Sequence, residues 1–372
     1  KGVAMQNYRE ITPVTGPEAF EERSRDAVMS QAAIVLAAGA GVGGRADTLE
    51  PVADLELPPM APIERKRKMP VAQAVSQLDI DVDTHLGRPD LRLPGSATAN
   101  IARQLVDKPA ANTAAALIEA NMHSSSPLVR TAAATAALDT TGPREDIERC
   151  LVEASHHRDP LVRDLGRVGL ARVNPDHDAL QHVVGRPAPL YGKDRASHTA
   201  VLTHGTFASR TRWWRPGGSL HTYLDGLTPT LHMHDPSFQW TGQYSHGARD
   251  LAAARLVAWL ADQGLQTPDF FAHSHGGTVA HLATTKGAEF DRLVLMSWPF
   301  HRAWLPDFHN LQRIIDIRVR WDLVILADRG GQRFRAPSAH ANKVKEHING
   351  WFDHSDTNDP AYWDRYGLPG VL

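Results

Sequence analysis

Phe270-Phe271-Ala272-His273-Ser274-His275-Gly276-Gly277-Thr278 decides how this chain is read. Asp269 to Ala272 is short and apolar and is bounded upstream by Pro268, the pattern of a buried strand. Gly276-Gly277 and the run Thr278-Val279-Ala280-His281-Leu282-Ala283 then open a helix. A serine at such a strand-to-helix corner, with small residues two before and two after it, occupies a strained turn that lifts its hydroxyl clear of the sheet. Ala272 and Gly276 are those small residues here; Ala272 departs from the usual Gly-x-Ser-x-Gly form, but its methyl still fits. An ordinary turn before a helix has the same local look, so the order of the residues around the corner has to decide.

Working outward, Thr199-Ala200-Val201-Leu202-Thr203 reads as the first buried strand and runs into His204-Gly205-Thr206-Phe207. Leu231-His232-Met233 is a short strand, and Phe238-Gln239-Trp240-Thr241-Gly242 is a loop. His246 to Gln263 is a helix with Ala253, Leu256, Val257 and Leu260 on one face and Gly264 ending it. Leu293 to Met296 is the next strand, closed by Pro299, and Ile314 to Trp321 is the last. Strands alternating with helices imply an α/β fold with a mostly parallel sheet. Lys343 to Asn349 reads as a helix, because Val344 and Ile348 stand four apart.

Upstream the pattern differs. Pro17 through Leu36 reads as a helix ended by Gly39 to Gly44. Residues 45 to 99 are rich in proline and lack periodicity, which predicts an extended arm. Within it, Arg65-Lys66-Arg67-Lys68 reads as a solvated basic loop, with a phosphate or partner site as the minority reading. From 113 to 185, Ser126-Pro127-Leu128-Val129-Arg130 recurs as Asp159-Pro160-Leu161-Val162-Arg163, an offset of 33. Each unit reads as helix, turn, helix, with Ser126 or Asp159 as N-cap and proline at the first helical position. These units resemble HEAT-like helical repeats, which implies a stacked all-α region and a surface for a protein partner. The same helices serve equally well as packing against the next domain. The division expected is 1–112 for the N-terminal helix and arm, 113–190 for the repeats, and 195–372 for the α/β domain.

Composition bounds the function. At 372 residues the chain holds about two domains. A net charge of −2 supplies no bulk field for nucleic acid or a membrane surface. No apolar run reaches the roughly 18 residues of a membrane span. Cys150 is alone, so no internal disulfide forms; this fits a reducing compartment and points to the cytoplasm. The 20 histidines invite a metal reading, densest at His232-Met233-His234-Asp235, but no His-x-x-x-His or cysteine set accompanies them, and no metal is expected.

A serine hydroxyl needs a histidine to take its proton and an acid to orient that histidine. Ser274 is followed by Asp322 and Asp328, then by His347 and His354, the order Ser, acid, His. His354 follows the loop Gly350-Trp351-Phe352-Asp353 and is the base expected, ahead of His347. Asp322 stands just past the last long strand and is the acid expected; Asp328 is its competitor, and Asp316, inside the strand, is the least suited. The oxyanion donors expected are the N–H groups of His275 and Thr206, with Phe207 second to Thr206.

Residues 195 to 372 thus resemble the α/β-hydrolase superfamily in its compact lipase and esterase branch. The likeness rests on Val201 to Thr206, Phe238 to Gly242, Ala272 to Gly277 and His354-Ser355-Asp356. It implies a serine hydrolase with a Ser274-Asp322-His354 triad, no metal, no organic cofactor, and a small-molecule or lipid ester as substrate. Among the aromatic residues in loops after strands, Phe207, Trp240 and Trp298 are the candidates to line an acyl pocket, although such residues also cover cores. The competing class is a scaffold that binds a partner through its helices and carries an inert hydrolase fold.

Overall fold

Six strands, β1 (Thr199–Thr203), β2 (His232–Met233), β3 (Asp269–His273), β4 (Phe290–Met296), β5 (Leu311–Arg320) and β6 (Val344–Trp351), form one sheet in the order β2-β1-β3-β4-β5-β6. Every neighbouring pair is parallel. This is a computed structural model, and it describes residues 17–42, 111–185, 199–228 and 230–372. The fold is α/β, with an all-helical region before the sheet.

The central strands β1, β3, β4 and β5 are mostly buried on both faces, which is why they read as apolar runs rather than as alternation. Val201, Phe270, Ala272, Leu293, Leu295 and Ile314 pack beneath α8 (His246–Gln263) and α9 (His275–Thr284). Their neighbours Ala200, Leu202, Phe271, Val294, Met296 and Ile315 face the other way, onto α7 (Ser219–Asp225) and α11 (Pro360–Arg365). Three central strands end in a residue with positive φ: Ser274 after β3, Ser297 after β4 and Trp321 after β5. Each throws the chain off the sheet at its C-terminal edge.

The helical region comprises α1 (Pro17–Val42), α2 (Ala111–Met122), α3 (Pro127–Thr140), α4 (Glu145–Ser155), α5 (Pro160–Val173) and the one-turn α6 (Asp178–Gln181). The repeated motif starts α3 and α5: the Ser126 hydroxyl accepts from the Val129 N–H and the Asp159 carboxylate from the Leu161 N–H, each with proline at the first position. The core of this region continues into the α/β part through Phe207, Trp321, Phe352 and the short helix α10 (Leu323–Ala327). Arg172 on α5 ties the two together, donating to the Ala327 carbonyl at 3.0 Å and to Asp139 at 3.0 Å.

Three expectations change. The stretch 343–349 is not helical: His347 lies on β6, paired with Ile317 of β5. A spacing of four puts Val344 and Ile348 on one face of a strand as well as of a helix, and the edge of β5 offers a partner. The first helix runs on through Gly39 to Val42, since Gly39 lets α1 press on Ala136 of α3, where a Cβ would lie 2.8 Å from the Ala136 Cβ. That helix therefore packs with the repeats rather than apart from them. The proline-rich arm and its Arg65-Lys66-Arg67-Lys68 run lie outside the described residues.

Candidate active site

The chain turns from β3 into α9 at Ser274, whose φ of 52° and ψ of −133° are rare for a residue with a side chain and cost on the order of 1–3 kcal/mol. The Met296 carbonyl accepts the Ser274 N–H at 2.8 Å, and the Gly277 N–H donates back to the Ser274 carbonyl at 2.9 Å. The end of β1 crosses directly over this corner. A Cβ on Gly205 would lie 2.6 Å from the Ser274 Cβ, and one on Gly276 would lie 2.7 Å from the His204 carbonyl oxygen. Glycine is thus required at both positions for backbone to pass backbone. His275 opens α9, so its N–H stands at the positive end of the helix dipole.

Asp322 follows Trp321, the positive-φ residue that ends β5, and caps α10. Its Oδ1 accepts the N–H groups of Val324 and Ile325, both at 3.0 Å. The side chain of Gln332 clamps the Asp322 backbone from both sides, at 3.0 and 3.1 Å. The remaining oxygen, Oδ2, accepts from His354 Nδ1 at 2.7 Å. Because an ionised carboxylate only accepts, the proton of a neutral His354 is held on Nδ1, and Nε2 is left with its lone pair. Burial works against a charged His354, but Asp322 outweighs it, with a smaller share from Asp164, and the imidazole pKa stands above its ordinary value. His273 adds a second hold: its Nε2 donates to the His354 carbonyl at 3.1 Å, and the two rings meet edge to face at 4.7 Å. His273 itself is kept neutral, pushed down to about 3, chiefly by burial.

Ser274, His275 and His354 border one cavity of about 190 Å³. Thr206 and Phe207 border it from the end of β1, and Trp213 from the loop beyond. The Phe207 N–H is committed to the Gly242 carbonyl at 2.8 Å, so it is not free to donate into the cavity. Trp240 and Trp298, read as pocket residues, are instead in the core, 1% and 0% exposed. The Trp240 indole donates to the His204 carbonyl at 2.8 Å, and the Trp298 indole donates to Thr278 at 3.1 Å. Asp316 is buried inside the sheet and paired with Arg318, away from the cavity. His347 does not border it either.

Asp328, the competing acid, belongs to a different cluster. Its Oδ1 accepts the Tyr244 hydroxyl at 2.5 Å, and its Oδ2 stands 2.9 Å from His301 Nε2 and 3.2 Å from His275 Nε2. Burial would raise its pKa, but the two imidazoles, His275 foremost, hold it well below the usual carboxylate range. Burial, then the Arg249 cation, push the His275 pKa down to about 4 against the opposing pull of Asp328. Among the described residues, His275, His301 and Asp328 are the group whose ligating atoms approach closely enough to hold a metal ion, within 4.8 Å of one another. Arg249 stands next to that cluster as a fixed cation, held between the Tyr244 and Trp304 rings at 5.2 and 4.6 Å, and opposes a divalent ion there.

Sequence reasoning missed this cluster, the roles of Gln332 and His273, and the roof of the cavity. That roof is α5, which contributes Pro160, Arg163, Asp164, Arg167 and Val168. The histidines flanking Ser274 were a visible signal for His273 and His275; nothing local marked α5. Among the described residues no helix is long and apolar enough to cross a membrane. The chain matches no family model, no curated protein and no solved structure.

Proposed function

We propose that residues 199–372 are an α/β-hydrolase domain that cleaves carboxylic esters through Ser274, His354 and Asp322. The observation that carries the reading is the 2.7 Å pairing of His354 Nδ1 with a fully engaged Asp322, on the cavity that Ser274 also borders. In this reading His354 Nε2 takes the Ser274 proton as Oγ adds to the ester carbonyl. The oxyanion is met by the N–H groups of His275 and Thr206. Collapse of the tetrahedral species breaks the ester C–O bond, and His354 returns the proton to the departing alcohol. Water, deprotonated by His354, then adds to the acyl carbonyl; collapse breaks the C–Oγ bond, His354 returns the proton to Ser274 Oγ, and the acid leaves. Asp322 fixes the imidazole tautomer and stabilises the imidazolium without taking the proton.

The helical region, whose 33-residue spacing supports the likeness to HEAT-like repeats, acts in this account as a fixed roof over the site rather than as a free partner surface. Its apolar faces are spent on a core shared with α10. The test is turnover of a short nitrophenyl ester by the full chain and by Ser274→Ala. The account expects the variant to fold and to lose roughly 10³-fold or more in kcat/KM. A folded Ser274→Ala with near-native turnover overturns it.

A further inference from the structure

The residues that α5 sends into the cavity fall at 160, 163, 164, 167 and 168, one stripe of the helix. A roof built for a hydrocarbon chain would present an apolar stripe; this one presents Arg163, Asp164 and Arg167. The Arg167 side chain is 12% exposed, and its Nε is buried with no hydrogen-bond partner. Its nearest carboxylate is Asp164, whose Oδ1 is 3.7 Å from Nη1, too long for a hydrogen bond. Burial lowers the Arg167 pKa more than Asp164 restores it. Burial also pushes the Asp164 carboxyl upward, which weakens it as a counter-ion.

The other acid on the cavity wall is already engaged. Asp328 is met by Tyr244, His301 and His275. Arg163 donates through Nη1 to the His157 and Arg158 carbonyls, at 3.3 and 3.5 Å, and among the described residues no carboxylate stands at ion-pair distance from it. The part of the cavity wall that α5 supplies thus carries two guanidinium groups against one poorly placed carboxyl. A buried guanidinium with an unmet N–H gains most from an ionised carboxylate or phosphate oxygen.

Resting on the hydrolase reading above, we propose that Arg167, supported by Arg163, is a subsite for a second, ionised carboxylate on the ester. The substrate class is then a small half-ester of a dicarboxylic acid. Its scissile carbonyl lies at Ser274 and its free carboxylate under α5. The helical region supplies the selectivity and the α/β domain supplies the chemistry.

The test uses the full chain with two esters of matched length, monomethyl succinate, which carries the charge, and methyl butyrate, which does not. Equilibrium binding of each is measured by calorimetry or ligand-observed NMR, together with hydrolysis of each. The proposal expects the anion to bind at least about tenfold more tightly, a preference that falls with added salt. Arg167→Gln should collapse that preference, Arg167→Lys should keep part of it, and Arg163→Gln should reduce it. Equal binding of the two esters to the wild-type chain overturns the proposal. So does a preference unchanged in both folded glutamine variants. Discrimination in binding with no hydrolysis of either ester supports the subsite and contradicts the hydrolase reading, so the two failures are distinct.

Discussion

His354 Nδ1 lies 2.7 Å from Asp322 Oδ2, a contact that joins the loop after β6 to the first residue past the turn that ends β5. Two N–H groups of α10 hold the other carboxylate oxygen, so the acid is fixed before the histidine arrives. Six residues further on, Asp328 is also buried yet spends itself on Tyr244, His301 and His275.

The two acids should therefore separate cleanly. Asp322→Asn offers His354 Nδ1 a mixed donor and acceptor in place of a charge, and turnover should fall by about 10³- to 10⁴-fold with the fold intact. Asp328→Asn should cost less than about tenfold in turnover, and on the order of 1–3 kcal/mol in stability. Side-by-side kinetics with the opposite ranking would reverse the assignment. The stability loss has a pH signature. The folded pKa of Asp328 is depressed, so its contribution is complete above the unfolded value near 3.9 and fades as the pH falls through the folded one. Denaturant titrations of wild type and Asp328→Asn should converge in acid.

The base must be neutral to accept a proton, so kcat/KM should rise with pH through the pKa of His354. That pKa stands above the ordinary value near 6.5 because Asp322 favours the cation. In Asp322→Asn the favouring charge is gone and burial remains, so the residual activity should rise at a lower pH than in the wild type. A pH profile that is flat, or one whose midpoint moves upward in the variant, contradicts the role given to His354.

Gly205→Ala should damage the site without replacing any reacting group, by crowding Ser274. The added methyl meets the Ser274 Cβ at 2.6 Å and the His273 carbonyl oxygen at 3.0 Å, so the β1 end or the corner must move. A displacement of under an ångström at Ser274 is enough to lower kcat by about 10²-fold. Native kcat in a folded Gly205→Ala chain would show that the corner has slack which the packing denies.

Leu323→Ala reports on the seam. Leu323 is fully buried in the core that the helical region shares with α10, Trp321 and Phe352. Its truncation should cost about 2–5 kcal/mol. The helical and α/β parts should still melt in one transition, because Trp321, Phe352 and α10 of the α/β part complete the core of the helical region. Two resolved transitions in a calorimetric scan, with only one shifted by the substitution, would show that the seam is not shared.

The corner, the strands β1 to β5 and the position of Asp322 just past β5 were legible because a buried parallel sheet writes itself as apolar runs, each ended by turn residues. The misreading at 343–349 has a plain cause: an apolar pair four apart satisfies both periods, and only the edge of β5 decides between them. Trp240 and Trp298 were placed by their loops, but each finds its hydrogen-bond acceptor inside the core, at the His204 carbonyl and the Thr278 hydroxyl. The Asp328 cluster draws on positions 244, 275, 301 and 328, and the roof of the cavity comes from position 160 onward. Neither leaves a local pattern, since both exist only once α5 and α10 are packed.

The most direct test of the central claim is active-site labelling by a fluorophosphonate, read by mass spectrometry of the intact chain and of its peptides. The account predicts one covalent adduct on Ser274 of the native protein. It should be lost in Ser274→Ala, lost on prior unfolding, and formed far more slowly in Asp322→Asn. A native, folded chain that takes no label at Ser274, or takes it as fast in Asp322→Asn as in the wild type, would contradict the account.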